Sequence, residues 1–443
     1  MATLLSQFEP ARFVPDQVCK VALLGFGTVG SAVARLLYAR SPEHPLQLTH
    51  VCNRAVARKK ADWISADVVW TEDIDEVLAS DADVVVELLG GLQPAHAWVR
   101  RALQSGKSVV TANKQLIAHF GSELLELANE HQQYLGFGAC VAGAVPVLHG
   151  LVEGLAADRL VKLYGILNGT CNYILTRMES TGTSFAEALA EAQRAGFAEA
   201  DPTDDVDGLD ARAKLVILAR AALGIDILPE HVKCRSIRRI ATVDFQHAHQ
   251  LGHTIRQISY AGVTEQAACV CVGPALVPQS SPLAGISGSQ NLIVSSGQFG
   301  GDTLFCGQGA GGDPTAVAVV SDLMQAARRG SSRAASLHRL TSTPREVTGD
   351  LEMPQYVRFV VADRPGIIAA LAGGFARYHI NIDAVLQMPG HPKSQLPFVI
   401  TLEPCKDRPL QAALGDISDF DFLVEPPLAM PILQENDTHA SAL

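Results

Sequence analysis

One short stretch near the start of the chain restricts its possible folds more than any other. An apolar run at residues 18–24 is typical of a buried strand, and Gly25-Phe-Gly-Thr-Val-Gly30 follows it directly. The helical pattern of Ser31 to Tyr38 comes next. In this context the first glycine makes a tight turn, the second lets the backbone approach a pyrophosphate, and the third packs helix on strand. The alternative is a glycine-rich turn without a ligand.

This stretch predicts a Rossmann-type, doubly wound α/β domain that binds a dinucleotide at a helix N-terminus. The candidate cofactor contacts are Gly25, Phe26, Gly27, Thr28, Val29 and Gly30.

The end of the second predicted strand, residues 46–52, indicates which dinucleotide is bound. An acidic residue there would bind the ribose 2′-hydroxyl of NAD, whereas an arginine suits the 2′-phosphate of NADP. The strand is followed by Asn53-Arg54, and three further cations stand at residues 58–60. The cofactor is therefore NADP or NAD with NADP favoured, and Arg54 is the candidate phosphate contact.

The fourth strand of this domain is expected to carry a reactive side chain. Residues 106–114 read as a strand that ends in Asn113-Lys114. Ligands of doubly wound sheets lie at the carboxyl ends of the strands. Lys114 is therefore a candidate for the reaction site, although a lone lysine is more commonly a solvated side chain.

A second candidate site is the acidic stretch from Gly196 to Leu215. Six carboxylates lie between Glu199 and Asp210, and the sequence then becomes helical. Asp210 and Lys214 are four residues apart and project from one helical face. The pair is either a surface salt bridge or an inward-facing site, and the apolar residues that continue the same face leave both open.

Composition excludes several classes of protein. A chain of 443 residues with 48% hydrophobic and 18% charged residues is a folded protein of two to four domains. The net charge of −11 argues against nucleic-acid binding. No apolar run is long enough for a membrane span, and Met1 to Gln17 does not read as a signal peptide. The nine cysteines include no C-x-x-C pair, which favours reduced thiols in the cytoplasm.

Three motifs in order resemble the homoserine dehydrogenase family. They are Thr111-Ala-Asn-Lys114, Gly165-Ile-Leu-Asn-Gly-Thr170 and Glu199-Ala-Asp-Pro-Thr-Asp-Asp205. The resemblance covers the chain from Val18 to about Leu323. It implies NAD(P)-dependent interconversion of L-homoserine and L-aspartate 4-semialdehyde, in the biosynthesis of threonine and methionine. The alternatives are a related oxidoreductase on another small amino-acid aldehyde, or a non-catalytic metabolite sensor.

The resemblance also implies roles for individual residues. Lys214 would transfer the proton, with Lys114 as its partner near the reacting oxygen. Glu199 and Asp210 would bind the substrate, and Asp205 would join them or orient a lysine. Gly196 and Gly311 would contact the cofactor.

One position departs from the family pattern. Family members carry an acidic residue where Gly138 stands, and that acid belongs to a sodium site together with carbonyls matching Val141, Gly143 and Val145. A carboxylate is the only charged ligand of such a site. No metal is therefore expected.

The remainder of the chain predicts further domains. Alternating strands between residues 235 and 306 predict a sheet at a subunit interface of a homodimer or homotetramer, and residues 356 onward resemble an ACT module, a βαββαβ sandwich. The module would bind an effector, and L-threonine is the expected one. Its contacts would be Asp363-Arg-Pro-Gly366 together with Asn381 and Asp383. The alternative is a structural or dimerisation module.

The predicted domain organisation has five parts. It is 1–150 as the NAD(P)-binding Rossmann domain completed by a helix at 313–328, 151–312 as an α+β substrate and dimerisation domain, 329–355 as a linker, 356–432 as the ACT-like domain and 433–443 as a flexible tail.

Overall fold

The computed structural model describes residues 18–39, 45–264, 267–329 and 346–434. Its first elements are β1 (Cys19–Leu24), α1 (Thr28–Ala39), β2 (Leu46–Cys52), α2 (Val56–Lys59), β3 (Val69–Thr71), α3 (Ile74–Ala79), β4 (Val84–Glu87), α4 (Ala95–Gln104), β5 (Ser108–Thr111), α5 (Lys114–Glu130) and β6 (Leu135–Gly136).

The middle of the chain follows with α6 (Val147–His149), β7 (Leu160–Ile166), α7 (Gly169–Thr181), α8 (Phe185–Arg194), α9 (Thr203–Val206), α10 (Leu209–Leu223), β8 (Lys233–Cys234), α11 (Thr242–Gln250), β9 (His253–Val263), β10 (Ala267–Pro278), β11 (Gln290–Gly297), β12 (Gly301–Gln308) and α12 (Gly312–Arg329). The last elements are β13 (Glu346–Thr348), β14 (Met353–Val361), α13 (Ile367–Ala376), β15 (Ile382–Gln387), β16 (Leu396–Cys405), α14 (Asp407–Ser418) and β17 (Leu428–Pro431).

The first compact unit is built on a parallel sheet of six strands in the order β3-β2-β1-β4-β5-β6. It comprises the described residues up to Pro146 together with those from Ala310 to 329. The four residues of β4, Val-Val-Val-Glu, are all buried, as expected for a strand covered on both faces. Helix α12 adds Val319, Val320 and Leu323 to the core of this sheet. The predicted Rossmann-type fold is confirmed.

The second unit contains a larger sheet in the order β12-β11-β7-β9-β10-β13, with β8 also paired to β10. The long strands β9 and β10 are antiparallel from Val263 opposite Ala268 to His253 opposite Pro278. Helix α10 is buried around most of its circumference, and three of its four charged residues, Asp210, Lys214 and Arg220, are buried. The fold therefore places a carboxylate and an ammonium of this helix in an environment with little water.

The same unit contains the C-terminal module, which has the predicted βαββαβ order of an ACT domain. Its antiparallel sheet has the order β15-β16-β14-β17. The aromatic rings of Phe359, Phe375 and Phe398 pack in its core. None of the helices in the described ranges has the length and apolar character needed to span a bilayer.

Part of the predicted linker is structured, which corrects the sequence-based prediction. Glu346–Thr348 forms β13 and pairs in parallel with β10. Strand β14 begins at Met353 and not at Tyr356. In the predicted tail, the N–H of Leu433 donates to the carbonyl of Leu276 at 2.9 Å. The predictions for residues 1–17, 330–345 and 435–443 lie outside the described residues.

Candidate active site

The glycine-rich turn has the geometry that the sequence predicts for two of its three glycines. Gly25 has a φ of +103°, and a Cβ on it would lie 3.0 Å from the carbonyl oxygen of Leu88. A Cβ on Gly30 would lie 2.3 Å from the carbonyl oxygen of Gly25. Among the described residues, no heavy atom lies within 4 Å of the Cβ position of Gly27. Packing thus requires Gly25 and Gly30, while the Cβ position of Gly27 faces open space.

The helix after this turn begins earlier than predicted, at Thr28, so Thr28, Val29 and Gly30 belong to α1. A Cβ on Gly312 would lie 2.8 Å from Cγ2 of Thr28, so the start of α12 lies against the same turn. Gly311 has a φ of +123°, which favours glycine. The side chain of Phe26 is buried and packs edge-on against Trp70, and its N–H donates to Asn53 Oδ1 at 3.4 Å.

The cations after β2 lie on an exposed turn. Arg54 is exposed, and its carbonyl oxygen accepts a hydrogen bond from Asn53 Nδ2 at 2.9 Å. Arg58, Lys59 and Lys60 are exposed around the short helix α2. The structure thus leaves all four cations that follow β2 exposed to solvent.

A buried carboxylate that sequence reasoning missed lies at the end of β4. Glu87 is fully buried, and its Oε1 accepts the N–H groups of Leu89 at 2.7 Å and Gly90 at 3.3 Å. Its Oε2 accepts the hydroxyl of Thr111 at 2.6 Å. Burial raises the pKa of Glu87, and these hydrogen bonds oppose that shift. An acid at the end of an otherwise apolar strand was the available sequence signal.

The same network fixes the start of the helix that carries Lys114. Asn113 caps α5 by accepting the N–H of Leu116 at 3.1 Å, and its Nδ2 donates to the carbonyl of Gly91 at 2.6 Å. The Thr111 hydroxyl accepts the N–H of Asn113 at 2.9 Å. Lys114 is the first residue of α5, so its backbone position follows from these contacts.

The Asp210–Lys214 pair is inward-facing, not a surface salt bridge. Asp210 is 6% and Lys214 8% exposed. Lys214 Nζ donates to Asp210 Oδ2 at 2.8 Å and to the carbonyl oxygen of Leu167 at 2.9 Å. Two acceptors thus hold the ammonium in one position.

Asn168 joins this pair to a second carboxylate. Its Nδ2 donates to Asp205 Oδ1 at 2.6 Å and to Asp210 Oδ2 at 2.9 Å. Its Oδ1 accepts the N–H of Cys171 at 2.7 Å, which caps α7. Burial and, to a smaller extent, the charge of Asp210 raise the pKa of Asp205, while the Asn168 hydrogen bond opposes this. We call Asn168, Asp205, Asp210 and Lys214 the acidic cluster.

Two other predicted residues of this unit lie outside the hydrogen-bonded cluster. Glu199 is exposed in the turn after α8, where its carbonyl accepts from Gln193 Nε2 at 3.0 Å. Gly196 is exposed with a φ of +76°. Lys114 belongs to the first compact unit and the acidic cluster to the second.

The surroundings of Gly138 do not fit the sodium site implied by the family resemblance. The N–H of Gly138 donates to Asp322 Oδ2 at 2.8 Å. A Cβ on Gly138 would lie 3.0 Å from Asp322 Oδ1, so a longer side chain would meet this buried carboxylate. The acidic ligand expected at residue 138 is missing, and the carboxylate that is present already accepts a backbone N–H.

Comparisons with known proteins find relatives along most of the chain. The family model of the homoserine dehydrogenase NAD-binding domain matches residues 25–137, that of homoserine dehydrogenase matches 146–324, and that of the ACT domain matches 355–421. A homoserine dehydrogenase of Mycobacterium tuberculosis (strain CDC 1551 / Oshkosh) is 41% identical over 83% of this chain and 86% of its own length. One from Synechocystis sp. (strain ATCC 27184 / PCC 6803 / Kazusa) is 35% identical over 94% and 99%.

Solved structures give the same result. A homoserine dehydrogenase from Thiobacillus denitrificans is 31% identical, covers 94% of this chain and 98% of its own, and superposes with a TM-score of 0.87. A hyperthermophilic archaeal homoserine dehydrogenase in complex with NADPH is 26% identical over 71% and 98%, with a TM-score of 0.61. Because two family models match in sequence order and the relatives are similar over most of both chains, the chain belongs to the homoserine dehydrogenase family.

Proposed function

We propose that the acidic cluster is the catalytic centre for interconversion of L-homoserine and L-aspartate 4-semialdehyde. The observation that carries the proposal is a buried lysine held by two acceptors beside two carboxylates on one asparagine. A buried charged cluster of this kind needs partners or a chemical task.

The carboxylates suit the amino-acid end of the substrate. The substrate ammonium is a cation that requires acidic partners once it leaves water. Asp210 and Asp205 supply them, with Glu199 as an exposed third acid at the turn after α8. Because Asn168 binds both the buried Asp210 and the half-buried Asp205, their mutual repulsion does not separate them.

Lys214 suits the reacting oxygen. An ammonium has three N–H donors, and Asp210 and the Leu167 carbonyl take two of them. The third is directed to the substrate oxygen, where it gives or takes the proton of the hydroxyl. A bound nicotinamide accepts or supplies the hydride. Lys114, held by the Glu87 network at the start of α5, acts as the second lysine near that oxygen.

The cofactor is a nicotinamide dinucleotide, and we propose that NADP is preferred. The support is the row of exposed cations after β2 with no acid at the strand end. Cofactor contacts come from the glycine-rich turn, Gly196 and Gly311.

The C-terminal module is proposed to bind L-threonine as an inhibitor. Gly366, with a φ of +94°, precedes α13, whose first N–H groups would receive the effector carboxylate. Asn381 Nδ2 donates to Glu403 Oε2 at 2.9 Å and Asp383 accepts from the Thr401 hydroxyl at 2.8 Å, so both proposed contacts already have protein partners.

Homoserine-dependent reduction of NADP and of NAD by the purified chain tests the substrate and cofactor proposals. We expect turnover with homoserine and a lower KM for NADP. Another small amino-acid alcohol oxidised with a higher kcat/KM than homoserine would favour the related oxidoreductase. A lower KM for NAD would reverse the cofactor preference.

A further inference from the structure

The segment from Lys233 to Ala241 contacts the C-terminal module and also residues Asp205 to Asp207 at the end of α9, which we call the acidic turn. The segment itself is called the connecting segment below. It runs from β8 to the residue before α11, and all of it belongs to the second compact unit together with the module. No part of it contributes to the cluster itself.

On one side the connecting segment holds the residues that follow Asp205. The N–H of Ile237 donates to the carbonyl of Val206 at 3.0 Å. The Ser236 hydroxyl donates to Asp207 Oδ1 at 2.6 Å, and Arg238 Nε donates to the same oxygen at 2.9 Å. Because Asp205 directly precedes these two residues, the segment restricts the backbone that carries this carboxylate.

On the other side the connecting segment is bound to strand β14 of the module through Arg358. This arginine is 4% exposed. Its guanidinium donates to Asp244 Oδ2 at 2.7 Å, to the carbonyl of Arg239 at 3.2 Å and to Glu425 Oε1 at 3.1 Å. Asp244 Oδ2 also accepts the N–H of Ala241 at 2.8 Å.

A second attachment comes from helix α14. Lys233 and Arg235 both donate to the carboxylate of Asp407, which is 5% exposed. Two module residues thus hold the two ends of the connecting segment, while its middle holds the acidic turn. Hydrogen bonds and the intervening backbone of the connecting segment therefore link Arg358 to Val206, the residue after Asp205.

We propose that Arg358 and Asp407 are positioning residues for the homoserine site, acting through the connecting segment on the turn that carries Asp205. The proposal rests on the proposed role of Asp205 and Asp210 in binding the substrate ammonium. It makes the module a structural part of the substrate site and gives an effector bound to the module a route to it.

The main test is Arg358→Lys. Lysine keeps the positive charge that buried Asp244 requires, but a single ammonium cannot reproduce the planar fork that reaches three acceptors. We expect the KM for homoserine to rise about three- to tenfold while kcat and the KM for NADP stay within about twofold of wild type. Arg358→Gln, which also loses the charge, should have a larger effect on the same constant.

The matched control is Arg377→Lys in the same module. Arg377 forms an exposed ion pair with Asp416, and within the described residues no hydrogen bond or ion pair joins its side chain to the connecting segment. Its kinetic constants should equal those of wild type.

A second variant tests the contact between the connecting segment and the acidic turn, and it changes a side chain that is not buried. The side chain of Arg238 is 40% exposed, so Arg238→Gln should fold. It should raise the KM for homoserine in the same way and accelerate hydrogen exchange at the amides of Val206 to Gly208.

The variant Asp210→Asn distinguishes an error in this proposal from an error in the assignment of the acidic cluster as the homoserine site. If Asp210→Asn raises the KM for homoserine while Arg358→Lys and Arg238→Gln leave it at the wild-type value, the positioning role is overturned and the site stands. If none of the three changes it, both are overturned. A fall in kcat together with a rise in the KM values for homoserine and NADP, in proportion to a lower unfolding temperature, would also overturn the positioning role.

Discussion

Asn168 illustrates how one amide group determines the electrostatics of the acidic cluster. Two carboxylates that share a buried space repel each other, and burial already raises the pKa of Asp205. Each N–H of the Asn168 amide binds one of them, and Lys214 neutralises Asp210. Its amide oxygen meanwhile caps α7. The members of the cluster are therefore joined by hydrogen bonds, so that replacement of one affects the others.

Glu87→Gln tests the network around Lys114. Glutamine keeps an acceptor for the N–H groups of Leu89 and Gly90 but presents an N–H where the Thr111 hydroxyl needs an acceptor. We expect kcat to fall about tenfold through displacement of the start of α5. Steady-state kinetics with a thermal unfolding curve measure this.

The control for Glu87→Gln is Glu123→Gln, an acid-to-amide change on α5 whose side chain is 40% exposed. It should turn over like wild type. If Glu87→Gln also has the wild-type kcat, the network does not position Lys114.

The residue-scale predictions from sequence succeeded where the cause is local. The turn conformation of Gly25 and the spacing of Asp210 and Lys214 follow from neighbouring residues. Asn168 and Glu87 were missed because their partners lie far along the chain: Asn168 meets Asp210, and Glu87 meets Thr111. No local pattern encodes these contacts.

At the scale of elements, strand β2 could be predicted from the sequence and strand β13 could not. Strand β2 has buried apolar residues that make its position predictable. Strand β13 has three residues, too few for a period-two pattern, and forms because β10 offers unpaired backbone groups at the sheet edge. Sequence reasoning therefore assigned it to a linker.

Arg54→Ala tests the phosphate contact at the end of β2. Loss of one charge-assisted hydrogen bond should raise the KM for NADP about tenfold and leave the KM for NAD nearly unchanged. Arg101→Ala, which removes an exposed arginine of α4 paired with Asp75, is the control. Equal increases for the two cofactors would show that Arg54 does not distinguish them.

At the scale of the whole molecule, the candidate site residues are divided between two compact units. The first has the glycine-rich turn and Lys114, and the second has the acidic cluster and the C-terminal module. The order of these parts was predictable from motifs, because each motif is short and local. The attachment of the module to the connecting segment was not, since it depends on buried ion pairs such as Arg358 with Asp244.

Gly366→Ala tests the threonine site with the full chain. Truncation at Thr348 would also remove Arg358, the partner of buried Asp244, so a point change is cleaner. Alanine disfavours the φ of +94° and should raise the threonine concentration for half-inhibition about tenfold, with unchanged kcat. Gly390→Ala, at a φ of +95° in the same module, is the control. A wild-type enzyme insensitive to millimolar threonine would contradict the effector assignment.

The proposed transfer of the substrate proton by Lys214 of the acidic cluster is tested by kcat of the variant Lys214→Ala. The control is Lys107→Ala, which removes another buried lysine, one that donates to the carbonyls of Ser80 and Ala82. We predict that Lys214→Ala lowers kcat for homoserine oxidation at least about a hundredfold while NADPH affinity stays near wild type. The Lys107 variant should lose stability and keep its turnover. Turnover of Lys214→Ala close to the wild-type value would contradict the account.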